Sequence, residues 1–285
     1  NTFRIVADAK MRAEFLPTFY KQMGIKTVAF IQENMATAQS MYDYNAPAFE
    51  KAGIQVVARE VFDTGNKDFF TILTKLKSKN PDALFVACNP ESSGLVLKQR
   101  MEIGWPVQTI GEGNSPTGTA FFELAGAGLE GHIDISSASL EVMEKLYESG
   151  LRIVDMDMTR AFFKNFKPKY NQDPNVAVGR LYYDAVHIAV EAMKVAGTVD
   201  DADKIRDALA TGKVYFKGTA NEYKFDQTGK SVVGAAAIWA LYHKGGTADY
   251  IAIVEPDGAS GWKTTPVPGA PKIPQISDIR KARGY

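Results

Sequence analysis

Apolar residues in the first 113 positions gather in short unbroken runs, and each run ends in a polar loop. Thr27-Val28-Ala29-Phe30-Ile31 leads into Gln32-Glu33-Asn34-Met35, Ala83-Leu84-Phe85-Val86-Ala87 into Cys88-Asn89-Pro90-Glu91, and Val107-Gln108-Thr109-Ile110 into Gly111-Glu112-Gly113-Asn114. Runs without polar alternation predict strands buried on both faces, hence a parallel sheet covered by helices. Between them, helical spacing predicts helices over 11–23, 37–52 and 92–103, with Gly24, Gly53 and Gly104 as their stops. Pro17 and Pro47 inside the first two predict bends. A further helix carries Phe69, Ile72, Leu73 and Leu76 at helical spacing behind Asn66 or Asp68 as its cap. Strands are predicted over 27–31, 54–61, 83–87, 107–110 and 133–136, and a short helix starts at 121–124. In such a sheet a ligand sits outside the carboxyl ends of the strands, so the three loops are where function is sought.

The pattern changes after residue 140. Helices are expected at 157–170, 180–195 and 201–211, and strands at 216–225 and 235–242 around the turn 226–229. From Pro256 onward, Pro266, Pro268, Pro271 and Pro274 predict a tail that wraps the surface in extended form without a core of its own.

Composition narrows the class. A chain of 285 residues can bury a sizeable core as one large domain or two lobes. Its 33 basic and 33 acidic residues balance, which argues against nucleic acid or an anionic membrane surface as partner. Apolar runs fall short of the roughly 20 residues a membrane-spanning helix needs. No signal-peptide pattern is present, as in a mature or truncated chain. Cys88 is the single cysteine, so no internal disulfide or thiolate metal cluster is expected; it reads as a small buried hydrophobe ahead of a reactive thiol. His132, His187 and His243 are far apart and read as structural or exposed rather than as metal ligands.

Two motif matches fail on context. Gly126-Ala127-Gly128-Leu129-Glu130-Gly131 spells the dinucleotide fingerprint, but it follows a helical stretch and leads into a strand. That is the reverse of the order that brings phosphate to a helix N-terminus. Gly229-Lys230-Ser231 resembles the end of a phosphate loop, but Lys224 stands where that loop requires glycine. No nucleophile has a sequence-local base, so no catalytic residue is assigned, and neither a cofactor nor a metal is expected. Among the acidic residues of the three loops, Glu33 and Glu91 read as surface charges. Glu112, held between Gly111 and Gly113, is divided between binding and structure, the glycines letting backbone approach a ligand.

The order of several stretches carries a resemblance. They are Phe3-Arg4, Val28-Ala29-Phe30-Ile31, Phe49-Glu50-Lys51-Ala52-Gly53 and Thr64-Gly65-Asn66-Lys67-Asp68-Phe69, then Lys79-Asn80-Pro81-Asp82-Ala83, Tyr183-Asp184-Ala185-Val186 and Phe225-Asp226-Gln227-Thr228-Gly229. From residue 3 to about 245 the chain resembles the leucine/isoleucine/valine-binding family of ABC-transporter solute-binding proteins. The resemblance implies an α/β, two-lobed type I periplasmic-binding fold with parallel sheets flanked by helices. It implies that residues 1–8 form a lobe-one segment and crossing, 9–178 lobe two, 179–250 a second lobe-one segment and 251–285 the tail. Family members begin with several βα units that this sequence lacks, so lobe one is expected to be incomplete. Helices at 180–195 and 201–211 would then leave apolar faces such as Ile188 and Val195 uncovered.

The resemblance also implies a binding site. Its lobe-two contacts come from the three loops: Met35 and Ala36 in the first, Ala36 and Thr37 standing where an aromatic followed by glycine is common; Asn89, where a side chain often meets ligand; and Glu112, Gly113 and Asn114, where branched-chain amino-acid binders place an acid for the ammonium. Asn89, Glu112 and Asn114 are therefore expected to converge within about 10–12 Å on one accessible space. If Glu112 faces it, a ligand with an amine, amide or hydroxyl donor is favoured over a bare anion. Ala36 leaves that wall roomy, and Met35 can repack around irregular shapes. The expected role is capture of a small polar organic solute by hinge closure and delivery to a membrane ABC permease. An amino acid or related amide comes first and an aromatic acid second. The location implied is periplasmic or extracellular, after signal removal and with or without a lipid anchor. A ligand-sensing receptor or regulatory domain of the same fold, and an α/β enzyme acting on a small metabolite, are the alternatives.

Overall fold

The computed structural model describes residues 2–113, 119–136, 139–150, 152, 154–171, 174, 178–231, 237–257 and 261–284. In chain order the elements are α1 (Ala9–Gln22), β1 (Thr27–Glu33), α2 (Ala36–Lys51), β2 (Gln55–Phe62), α3 (Phe70–Lys77), β3 (Ala83–Ala87), α4 (Pro90–Glu102), β4 (Gln108–Gly111), α5 (Thr119–Ala125) and β5 (Ile133–Ser136). There follow α6 (Leu140–Glu148), α7 (Met156–Tyr170), α8 (Val178–Ala196), α9 (Ala202–Ala210), β6 (Tyr215–Lys217) and β7 (Glu222–Lys224). The chain closes with β8 (Ala237–Tyr242), β9 (Ala248–Pro256), β10 (Trp262–Pro266) and α10 (Ile276–Arg283). Contacts divide them into two units, residues 1–7 with 137–237 and residues 8–136 with 238–285.

The larger unit is built on an eight-stranded sheet of order β10-β9-β8-β5-β4-β3-β1-β2. Strands β2, β1, β3, β4 and β5 run parallel; β8 pairs antiparallel with β5, and β10 antiparallel with β9. Alternation along the strands sorts the helices into two layers. Ala29 and Ile31 of β1 and Leu84 and Val86 of β3 pack on Phe69, Leu73 and Leu76 at α3 and on Val96 of α4. Phe30 and Phe85 turn the other way and meet Phe49 of α2, which in turn stacks with Tyr20 of α1. The βα rhythm read from the hydrophobic runs is this sheet.

Local chemistry sets the helix starts. Asp8 accepts from the Met11 amide at 2.8 Å and so begins α1 two residues earlier than the sequence spacing suggests. Asn89 caps α4 ahead of Pro90 at its first position. Both α1 and α2 continue through their prolines. The glycine-rich stretch 126–131 lies between helix α5 and strand β5 and starts as a 3-10 turn. Gly128 there lies against the Leu97 carbonyl, which a Cβ would meet at 2.2 Å. Its glycine serves packing on α4.

Three sequence expectations are corrected. The tail is no extended wrap. β9, β10 and α10 lie in it, and Ile251 to Val254 are fully buried in the sheet. The prolines misled because Pro266 ends β10, an edge strand, where a missing donor costs little. Helix α6, capped by Ser139, was not expected. The single strand expected over 216–225 is instead a tight hairpin, β6 with β7.

The smaller unit has its own core: Ile188 and Ala192 of α8, Ala208 and Leu209 of α9, and Val214, Phe216, Tyr223 and Phe225 around the hairpin, with Phe3 stacked edge-on to Phe225. Ile188 is therefore covered, contrary to expectation, while Val195 is exposed, as are Tyr182, Val186 and Val190 one turn apart along α8. Among the described residues this unit holds four helices and one two-stranded sheet. The sequence reading placed 137–178 with lobe two and 238–250 with lobe one; by contacts these stretches cluster the other way.

Candidate functional site

Because β1, β3, β4 and β5 are parallel, their carboxyl ends share one edge of the larger unit, and the loops there hold each other in place. Glu33, at the end of β1, is fully buried and points into the α3/α4 layer, two residues beyond Ile31. Its carboxylate accepts from the Asn89 amide at 2.8 Å and the Asn89 side-chain nitrogen at 2.7 Å. Asn89 Oδ1 in turn accepts from the Ser92 amide at 2.9 Å. Met35 is half-buried at the start of α2 and Ala36 is exposed. Glu33, read from sequence as a surface charge, is instead the tie between the first two loops.

The third loop is fixed from beneath. Asp134 of β5 is fully buried, and its carboxylate accepts from the Gly113 amide and lies 3.4 Å from His132 Nε2. Gly111 makes that possible: a Cβ there would stand 2.1 Å from Asp134 Oδ2. The space Gly111 keeps clear is thus taken by Asp134. Gly113 has φ +86°, a conformation that suits glycine. Gly111→Ala is expected to push Asp134 off Gly113 and cost about 2–4 kcal/mol of stability, as for other overpacked or orphaned buried polar sites. Chemical denaturation would check this, and an unchanged midpoint would contradict the packing described.

Between the glycines, Glu112 is 1% exposed and turns into the α1/α2 layer. Asn45 of α2 donates to its Oε2 at 2.5 Å, while Oε1 accepts no hydrogen bond and lies 3.8 Å from Arg12 Nη1 of α1. Burial pushes the Glu112 carboxyl up to about 7; Arg12 and the Asn45 hydrogen bond pull it down, and Asp134 adds a smaller upward push. The Tyr20 hydroxyl and Asn45 Oδ1 are also buried without a hydrogen bond among the described residues, and burial, with Glu112 and Asp134 adding to it, raises the Tyr20 pKa. Arg12 Nη1 donates to the Glu112 carbonyl.

The expected convergence is corrected accordingly. Asn89 and Glu112 follow neighbouring parallel strands at one edge, but their side chains engage opposite helix layers, Asn89 that of α4 and Glu112 that of α1 and α2. Asn114 lies outside the described residues. Glu112 does not reach the accessible edge, so the argument from its charge to an amine-bearing ligand lapses. Sequence reasoning missed Arg12, Asn45 and Asp134. Only Asp134 left a signal, as a charged residue inside the apolar run Ile133-Asp134-Ile135. Cys88 is fully buried, its thiol raised by burial, as a small hydrophobe would be.

A groove of about 720 Å³ lined by Lys10, Glu14, Lys21, Tyr44, Lys51 and Trp262 shares no residue with the three loops. Among the described residues no three His, Cys, Asp or Glu side chains are grouped to hold a metal ion, and no helix is long and apolar enough to cross a membrane.

Residues 1–246 match the family model of the periplasmic binding proteins, and the chain belongs to that family. It is 25% identical over 217 residues to a leucine-, isoleucine-, valine-, threonine- and alanine-binding protein of Pseudomonas aeruginosa, covering 76% of this chain and 52% of that protein. A leucine-binding protein of Thermotoga maritima shares the fold with a TM-score of 0.72 at 21% identity, over 90% of this chain and 68% of its own. An ABC-transporter solute-binding protein of Rhodopseudomonas palustris in complex with benzoate does so with a TM-score of 0.69 at 16% identity, over 94% and 68%. The chain spans about half the length of the curated relatives it matches. The resemblance read from the sequence and the comparisons agree on the type I periplasmic-binding fold, here with a mostly parallel central sheet flanked by helices.

Proposed function

We propose that this chain is part of a periplasmic or extracellular solute-binding protein that captures a small polar organic solute, an amino acid or related amide, and hands it to a membrane ABC permease. The observation that carries the reading is the carboxyl edge of β1, β3 and β4 in a chain of the periplasmic binding family. There Met35, Ala36, Asn89 and Gly113 retain exposure while Glu33, Asp134 and Glu112 hold the loops from inside. A rigid edge of this kind suits binding without chemistry: the solute gains contacts, the closed state is favoured, and nothing on the ligand is broken. The curated relatives named for amino-acid binding support the solute class, and the benzoate complex of a structural neighbour keeps aromatic acids second.

The protein carrying this chain should show saturable heats with at least one amino acid or small acid in a calorimetric panel of leucine, alanine, threonine, glutamine, glutamate and benzoate. At a hundredfold excess over Kd, the bound protein should be stabilised by about 2.7 kcal/mol and release the solute unchanged. Consumption of the solute would overturn the reading, and so would the absence of binding across the panel.

A further inference from the structure

Arg12 is half-buried on the first turns of α1, its side chain 22% exposed where the third loop meets the carboxyl edge. One nitrogen, Nη1, is fastened to the Glu112 carbonyl. Nε and Nη2 have no partner among the described residues. A guanidinium offers five donors in a planar fork, and an unused Nε/Nη2 side matches the two oxygens of a carboxylate. Anchoring Nη1 to backbone fixes the direction of that side before a ligand arrives, which lowers the ordering cost of binding. Gly113 keeps the approach clear. The position its Cβ would take is 3.5 Å from Nη1, so a longer side chain there would lie against the guanidinium.

We propose that Arg12 is the ligand-facing cation of this edge, and that the solute carries a carboxylate on the end that meets the 112–113 loop. The proposal rests on the reading of the edge as a solute site and narrows it, from any small polar solute to one with an oxyanion at this wall. Neighbouring carboxylates leave the Nε/Nη2 side open. Asp134 is turned to the Gly113 amide and His132. Glu112 meets Nη1 only at 3.8 Å, and burial favours its neutral form. The acid that the sequence suggests as an ammonium partner and the arginine that it passes over therefore exchange prominence: Glu112 lies inside, and Arg12 reaches solvent.

The test is calorimetric titration with matched acid and amide probes, glutamate against glutamine, succinate against succinamide and benzoate against benzamide. It uses wild type, Arg12→Ala, Arg12→Gln and Arg12→Lys. In wild type the acid of at least one pair should bind tenfold or more tightly than its amide. Arg12→Gln, which keeps a donor for the Glu112 carbonyl, should erase that preference without lowering the thermal midpoint, and Arg12→Lys should restore part of it. Equal binding of acid and amide by wild type would overturn the assignment, as would an equal loss for acid and amide in both Arg12→Ala and Arg12→Gln, the mark of a residue that only props the loop. Binding of no probe or panel solute would instead overturn the solute site itself, and this assignment with it.

Discussion

Glu112→Gln should leave the protein more stable than wild type at pH 8 and indistinguishable from it near pH 4. The folded-state pKa is about 7 against an ordinary 4.5, so the folded chain holds a proton that the unfolded chain has released across that interval. Stability therefore falls as pH rises from about 4.5 to 7 and is level above it. A displacement of that size corresponds to roughly 3 kcal/mol at 1.36 kcal/mol per pH unit. Glutamine still accepts from Asn45 and never ionises, so the slope should vanish. Urea denaturation of both proteins between pH 4 and 9 measures it. Parallel curves would show that folding does not shift the Glu112 carboxyl.

A second buried carboxylate should give the opposite result. Asp184, fully buried on α8, accepts from the Thr219 amide at 2.7 Å, the Thr219 hydroxyl at 2.8 Å, the Ala220 amide at 2.8 Å and the Tyr223 hydroxyl at 3.0 Å. Buried Arg180 adds a bond to the Thr219 carbonyl. Gly218 admits the carboxylate, since a Cβ there would lie 2.4 Å from Asp184 Oδ2. Where Glu112 has one short hydrogen bond and an idle oxygen, Asp184 has four donors. Asp184→Ala would leave them buried and unpaired and should cost about 3–5 kcal/mol, enough to loosen the smaller unit. Asp184→Asn should recover little, because its amide nitrogen would face donors. Hydrogen exchange at 218–223 should rise by orders of magnitude in the alanine variant while β1 and β3 stay protected. Unchanged protection at 218–223 would refute the role.

These two carboxylates also show where sequence reading reaches its limit. The parallel sheet was legible because strands buried on both faces read as unbroken apolar runs, and Val28 to Ile31 and Ala83 to Ala87 are such runs. The edge proposed as the solute site followed from strand direction alone. The orientation of Glu112 did not. The glycines around it announce close approach, but only coordinates show that one approach is by Asp134 and the other by Arg12. Arg12 was silent because an arginine on an amphipathic helix looks the same whether it faces solvent or a loop 100 residues away. The C-terminal strands were hidden by their prolines, although Ile251-Ala252-Ile253-Val254 carries the same signature as β1.

The path of the chain sets an order on assembly. Strand β5 ends at Ser136, and its neighbour β8 begins at Ala237, so a hundred residues of the other unit are synthesised between two adjoining strands. Likewise Arg4 pairs with Lys230, so that bridge waits for a segment more than 200 residues further along the chain. Closing loops of that length is entropically slow, and until it happens β5 offers an open apolar edge to any passing strand. A nascent chain stalled before residue 230 has completed neither unit. Each unit thus closes only after chain belonging to the other has been made.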